Sequence, residues 1–209
     1  GTGLMQAFFY DVGTVATTRI TDASVHGQNP SSDGRWAVYT RWWRSPGTAS
    51  YSRVMLYDLA SGTTQDLNPN LNWREESYKL YDSGILLHTS YDNHDWEVWA
   101  ADLLMNTRVQ ISDDDLDSWA GGLSRNTLVA WTDAKPGATD DDPTRYRVHL
   151  FDLATGAEVW VGDYMFSMMS LDFEGDFLVW AAAETPDADR EVYVFDCATG
   201  VLTQLSDND

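Results

Sequence analysis

One short pattern returns five times along the 209-residue chain: an apolar run that ends in an aspartate at a turn. The copies are Ala7-Phe8-Phe9-Tyr10-Asp11-Val12-Gly13, Val54-Met55-Leu56-Tyr57-Asp58-Leu59-Ala60-Ser61-Gly62, Val98-Trp99-Ala100-Ala101-Asp102-Leu103, Arg147-Val148-His149-Leu150-Phe151-Asp152-Leu153-Ala154-Thr155-Gly156 and Val192-Tyr193-Val194-Phe195-Asp196-Cys197-Ala198-Thr199-Gly200. The aspartates at 11, 58, 102, 152 and 196 are 47, 44, 50 and 44 residues apart. A period of that length means an array of supersecondary units, each burying its apolar face on its neighbour.

The pattern has a mechanism. Aspartate at a strand end accepts a hydrogen bond from the backbone N–H two residues on, which starts a turn. A Gly four residues after the Asp, as in three copies, adopts a positive φ without steric cost, and the chain reverses. The runs before the Asp are nearly unbroken apolar stretches rich in β-branched and aromatic residues, which predicts buried strands.

Each full unit adds further segments around this hairpin. The first has the turn cluster Asn29-Pro30-Ser31-Ser32-Asp33-Gly34, the strand Arg35-Trp36-Ala37-Val38-Tyr39, a loop from Arg41 to Tyr51, and a closing Thr64-Gln65-Asp66-Leu67. The strands Ile85–His88, Leu128–Trp131 and Phe177–Trp180 repeat the second segment, and no capped helical periodicity competes. Four antiparallel strands in about 45 residues describe a β-propeller blade. The expected fold is therefore all-β, with a partial blade at 6–22 and blades at 26–70, 71–115, 116–163 and 164–209.

The stretch Asn29 to Tyr39, followed by the apolar strand and Tyr57-Asp58-Leu59-Ala60-Ser61-Gly62-Thr63-Thr64-Gln65-Asp66-Leu67, resembles the TolB-type propeller repeat. Residues 29–67 match best, and related copies cover nearly the whole chain. The second unit departs from it, with Leu103-Leu104-Met105-Asn106 at the turn. Ala154-Thr155-Gly156-Ala157-Glu158-Val159-Trp160 is also similar to quinoprotein-dehydrogenase propellers, but one copy implies no quinone cofactor. The repeat serves many unrelated functions, so the resemblance implies a fold and no activity.

There are five turn hairpins but four preceding strand pairs, so the first copy opens at the third strand of a blade. The expectation is five blade positions with one incomplete; a four-bladed ring with an extra hairpin, and a piece of a longer propeller, are the alternatives. Completion of the first blade by another molecule, a partner chain or a second copy, is a further alternative that the same count leaves open.

Composition narrows the function. The 33 acidic and 13 basic residues give a net charge of −20, which excludes nucleic-acid binding as the main role. No run of 18 apolar residues predicts a membrane-spanning helix, and Gly1–Met5 lacks the charged start of a signal peptide. Cys197 is the single cysteine and reads as a small apolar turn residue.

Among candidate sites, the loops Ser112–Asp117 and Thr139–Pro143 offer Asp113, Asp115, Asp140 and Asp142 as oxygen donors for calcium. Neither has EF-hand spacing, so solvated acidic loops and no metal cofactor are expected. His26, His88, His94 and His149 show no ligand spacing and are expected to be structural, with His88 replacing the aromatic of Tyr39, Trp131 and Trp180. The aromatic excess, 10 Trp and 10 Tyr, is the strongest functional hint. Arg41, Trp42, Trp43, Arg44, Trp73 and Trp119 lie in or beside connections and form the expected contact residues. A non-enzymatic binding or scaffold module for a protein or glycan, outside the cell or in its envelope, is the reading these features favour. A propeller-type lyase or glycosidase and a structural subunit are its rivals.

Overall fold

The computed structural model describes residues 3–44, 50–67, 74–81, 83–91, 94–124, 127–135, 137–139, 142 and 145–207, with the side chains of 43, 44, 50, 51, 74–78 and 169 outside that description. All regular structure among them is strand. The order is β1 (Phe8–Asp11), β2 (Ala16–Arg19), β3 (His26–Ser32), β4 (Trp36–Arg44), β5 (Ser50–Asp58), β6 (Thr64–Asp66), β7 (Arg74–Leu80), β8 (Ile85–Tyr91) and β9 (Trp96–Asp102). It continues with β10 (Thr107–Gln110), β11 (Ser118–Leu123), β12 (Leu128–Ala134), β13 (Tyr146–Asp152), β14 (Glu158–Met165), β15 (Ser167–Glu174), β16 (Phe177–Ala183), β17 (Glu191–Asp196) and β18 (Val201–Gln204). These form a two-stranded hairpin, β1–β2, and four four-stranded antiparallel meanders: β3–β6, β7–β10, β11–β14 and β15–β18. The architecture is four propeller blades and a partial one.

The turn chemistry is as the residues dictate. Asp11, Asp58, Asp102, Asp152 and Asp196 each accept a hydrogen bond from the N–H two residues on, at 2.8–2.9 Å. Local donors hold four of these carboxyls below their usual range: chiefly the hydroxyls of Thr14, Thr155 and Thr199 at Asp11, Asp152 and Asp196, and the Ser61 N–H at Asp58. Gly62, Gly156 and Gly200 close the turns at φ 71°, 73° and 70°. In the divergent second blade Asn106 takes that place at φ 53°, a conformation Asn tolerates. In the hairpin it is Val15, at φ 56°, and a β-branched residue there is strained. Val15→Gly is therefore expected to raise the melting temperature, with a gain of about 1 kcal/mol.

Two segments read as turn or loop are strand. Asn29–Ser32 belongs to β3, and the ladder absorbs Pro30 and the positive φ of Asn29 (50°) by slipping register between Gln28 and Ser31. Bulges at this place recur in β7, β11 and β15, so every inner strand carries one. Likewise Arg41–Arg44 continues β4 and pairs with Ser50–Arg53, leaving a much shorter connection than Arg41 to Tyr51. Thr, Trp and Tyr on facing strands favour the longer ladder.

The chain falls into two compact units, Gly1–Asn93 with Ala101–Arg108, and His94–Ala100 with Val109–Asp209. The first has cores around Val38, Val54 and Leu86 and around Ala7, Ile20, Tyr39 and Met55. The second is built on Ala130, Val148, Leu150, Leu178, Trp180 and Tyr193, with Cys197 packed half-buried against it. Burial pushes the Cys197 thiol up to about 11, an inert apolar filler as expected. Tyr39, Trp131 and Trp180 are buried packing residues, as is His88.

In the second unit β11 approaches β15 so closely that only glycine fits at 121. A Cβ there would lie 2.2 Å from Leu171 Cδ2 and 2.6 Å from its Cγ. Gly121→Ala is expected to cost about 1–3 kcal/mol in urea unfolding, the usual penalty for overpacking. An unchanged midpoint would contradict that approach.

Candidate functional site

The richest polar site is on the third blade, where the ladder lines up three rings. Trp131 on β12 pairs with His149 on β13, and His149 pairs with Trp160 on β14. Trp131 stacks on the imidazole at 4.8 Å between centroids, and Trp160 meets it edge-on at 6.4 Å. Diagonal positions in an antiparallel ladder are within reach of long side chains, and carboxylates occupy both. Asp133 Oδ2 lies 2.7 Å from His149 Nε2, and Glu158 Oε1 lies 2.6 Å from its Nδ1. Asp133 and His149 are buried, while the Glu158 side chain is 43% exposed.

Arg147, two residues before His149, completes the group. Its Nε is 3.1 Å from His149 Nε2 and its Nη2 is 3.9 Å from Asp133 Oδ2. The ring nitrogen can donate to the carboxylate or accept from the guanidinium, and the shorter contact is the carboxylate. Arg147 also lies over Trp160 at 3.9 Å and over Tyr164 at 4.9 Å. Trp160 is 65% exposed, so the group ends at the surface in an indole braced by a cation.

A second cluster in the same unit consists of Asp95, Glu97 and Asp114, whose carboxylate oxygens converge within 4.8 Å of one another. Such a set resembles the oxygen ligation of hard cations. Glu97 has another explanation. Ser112 Oγ donates to its carboxylate and the Asp114 N–H to its other oxygen, while the Val98 N–H donates to Ser112 Oγ at 2.8 Å. The fourth blade repeats this latch: Ser206 Oγ donates to Glu191 and accepts from the Val192 N–H at 2.9 Å. The contact therefore belongs to the blade pattern. Burial pushes the Glu97 carboxyl up to about 7, and burial also raises that of Asp114.

The residues expected from sequence are distributed as follows. Arg41 and Trp42 are half-buried on β4, in the first unit, and the side chains of Trp43 and Arg44, like Trp73 as a whole, are outside the described residues. Trp119 is half-buried in the second unit, edge-on to Tyr146 at 6.1 Å, and lines a 290 Å³ pocket with Gly121, Thr132 and Leu171. Asp113 and Asp115 are exposed: Asp113 accepts from Gln110 Nε2 at 3.3 Å, and Asp115 is 3.9 Å from His94 Nδ1. Asp142 pairs with Lys135 at 3.8 Å, and Asp140 is outside the description. Sequence reasoning missed Asp133, Arg147, Glu158 and Trp160. The visible signal was Trp160, an aromatic two residues past Glu158 on a strand with the exposed pattern of an outer edge.

No family model matches the sequence, and no curated protein matches it. Solved structures do. TolB from Acinetobacter baumannii aligns with a TM-score of 0.60 at 16% identity, over 96% of this chain and 48% of its own. A puromycin-hydrolyzing peptidase of Mycobacterium tuberculosis aligns at 0.64 and 16%, over 93% and 30%. A chain of a nidogen/laminin complex aligns at 0.57 and 13%, over 95% and 70%. The chain thus spans about half of the TolB chain and about a third of the peptidase. Likeness at these identities shows a propeller-type fold that serves both binding proteins and peptidases.

Proposed function

We propose that the chain is a non-enzymatic binding module that holds a protein partner on the third blade, with Trp160 and Arg147 as anchors, outside the cell or in its envelope. The observation that carries this reading is the braced indole. Trp160 is exposed yet fixed in orientation by Arg147, and Trp and Arg are the residues that most often concentrate binding energy at protein interfaces. The net charge of −20 favours a basic partner and speeds its approach.

The enzyme reading has less support. Both ring nitrogens of His149 face carboxylates, His88 is fully buried, His26 Nδ1 accepts the Met5 N–H at 3.2 Å, and His94 lies 3.2 Å from Asp95. A general base needs a free lone pair within reach of its substrate, and His149, His88 and His26 do not present one. Calcium plays no part in this reading, because Glu97 is already engaged by Ser112 and Asp114. Millimolar calcium is expected to leave the melting temperature unchanged.

The test is a comparison of Trp160→Ala and Arg147→Ala with the wild type in cross-linking to envelope and secreted proteins of the source organism. Captured species should disappear with either substitution while the thermal melt changes little for Trp160→Ala. Equal capture by all three proteins, or turnover of a peptide or glycan substrate by the wild type, would end this reading.

A further inference from the structure

The third and fourth blades, β11–β14 and β15–β18, are both complete four-stranded meanders, and the first strand of each carries a bulge. In β11 the register slips between Ala120 and Gly122, so Gly121 has no partner in β12. In β15 it slips between Met169 and Asp172, so Ser170 and Leu171 have none in β16. Each bulge thus leaves main-chain groups outside the ladder. The two bulges meet, because a glycine at 121 leaves the room that Leu171 takes. Ser170 is exposed and held at φ 56°, a left-handed conformation unfavourable for a residue with a side chain. Strain of this kind persists where the surroundings enforce it, and it clusters at ligand sites.

Where the bulges meet, the 290 Å³ pocket opens, wholly within the second unit. Its aromatic wall is Trp119, half-buried and set edge-on to Tyr146, over whose ring Arg145 lies at 4.9 Å. Those contacts fix the tilt of the indole. Met168 and Leu171 add apolar surface, and Thr132 and Ser170 add hydroxyls. None of the lining residues is charged. The pocket therefore combines a flat apolar face, two hydroxyls that both donate and accept, and main-chain groups outside the ladder. Small-ligand sites are built from this mixture.

We propose that this pocket binds one neutral hexose ring of a glycan, stacked on Trp119, with its hydroxyls bonded to Ser170, Thr132 and the bulge main chain. A pyranose has a face of C–H groups for the indole and a rim of hydroxyls for the polar groups around it. An apolar side chain would fill the same space but strip water from two hydroxyls without replacing its hydrogen bonds, a cost the sugar avoids. A sugar acid is disfavoured twice, because no lining residue is a cation and the chain carries a net charge of −20. The site is separate from Trp160, which stands on β14, and it adds a second class of ligand to the binding-module reading.

The probes are cellotetraose and maltotetraose, neutral chains of β- and α-linked glucose, titrated into the 209-residue chain by calorimetry, with tetragalacturonate as the acidic control. Saturable binding of at least one neutral tetramer is expected, and none of the acidic one. Trp119→Ala should weaken binding about tenfold or more, as loss of an aromatic anchor does. Ser170→Gly should weaken it about fivefold, the share of one hydrogen bond, while raising the melting temperature by releasing the strained φ. A residue that only shaped the fold would move both readings in the same direction. Trp160→Ala should bind the tetramer as the wild type does, so failure of the hexose pocket and failure of the Trp160 contact are told apart. No saturable binding of either neutral tetramer, equal binding of tetragalacturonate, or undiminished binding in both Trp119→Ala and Ser170→Gly would overturn the proposal. Binding of a capped glycine–phenylalanine–glycine peptide that depends on Trp119, with no sugar bound, would overturn it too, by making a peptide the occupant.

Discussion

Asp133→Ala is expected to lower the unfolding free energy by about 3–5 kcal/mol, the cost of removing one member of a buried charged group. Asp133 is 1% exposed and its Oδ2 is the short contact of His149 Nε2, with the Arg147 guanidinium next in line. Without the carboxylate, the imidazole and an Arg147 side chain that is 16% exposed meet with nothing to separate them. Asp133→Asn keeps an acceptor for the ring and should cost clearly less than alanine. His149→Phe preserves the stack between Trp131 and Trp160 but leaves Asp133 without its ring partner, so it belongs in the same range as Asp133→Ala. Because the two side chains act together, Asp133→Ala combined with His149→Phe is expected to cost less than the sum of the single changes. Urea unfolding at neutral pH, followed by far-UV circular dichroism, reads all four. A loss below about 1 kcal/mol for Asp133→Ala would mean an exposed, screened pair instead of a buried one.

That group was not legible in the sequence for a definite reason. Asp133, His149 and Glu158 come from three successive strands and meet only because Trp131 pairs with His149 and His149 with Trp160. Ladder register is not encoded in spacing along the chain, so four scattered histidines showed no pattern. The blade count was legible because its signal is local: each turn Asp accepts from the N–H two residues on, and the aspartates recur every 44–50 residues. The inner strands were hidden by their composition. His26–Ser32 carries Asn, Pro and two Ser, which signal a turn unless a bulge takes up the irregular residue, and β3 has such a bulge between Gln28 and Ser31. From sequence the Arg41–Arg44 stretch reads as loop because its charges break the apolar run, yet the facing Ser50–Arg53 extends the ladder past them. Glu97 shows the opposite case. Its latch to Ser112 repeats at Glu191 and Ser206, at the same separation from the turn aspartates, and that repeat is visible once the blades are aligned.

Two buried groups are expected to bend the stability–pH profile in opposite directions. His88 is fully buried with both ring nitrogens lacking hydrogen-bond partners, and burial, reinforced by the Arg108 charge, holds its pKa well below 6.5. A depressed pKa means that the folded state resists the proton. The stability is present above the unfolded value of 6.5 and is lost as pH falls from there through the folded value. Glu97 is the reverse. Its carboxyl is raised from 4.5 to about 7, so the folded state holds its proton, and the stability present below 4.5 is lost as pH rises through 7. That change amounts to at most about 3 kcal/mol for a shift of this size. His88→Phe restores the kind of ring found at Tyr39, Trp131 and Trp180 and removes two unsatisfied polar atoms. It is expected to stabilise by about 1–3 kcal/mol at pH 7, because an unsatisfied buried group costs that much. The gain should widen as pH falls below 6.5, since the unfolded variant has no imidazole to protonate. Glu97→Gln should instead flatten the profile between pH 4.5 and 7 and leave the acid arm in place. Unfolding series from pH 4 to 9 separate the two, and a gain from His88→Phe that is the same at pH 5 and pH 8 would show that the histidine finds a partner for its charge in the folded chain.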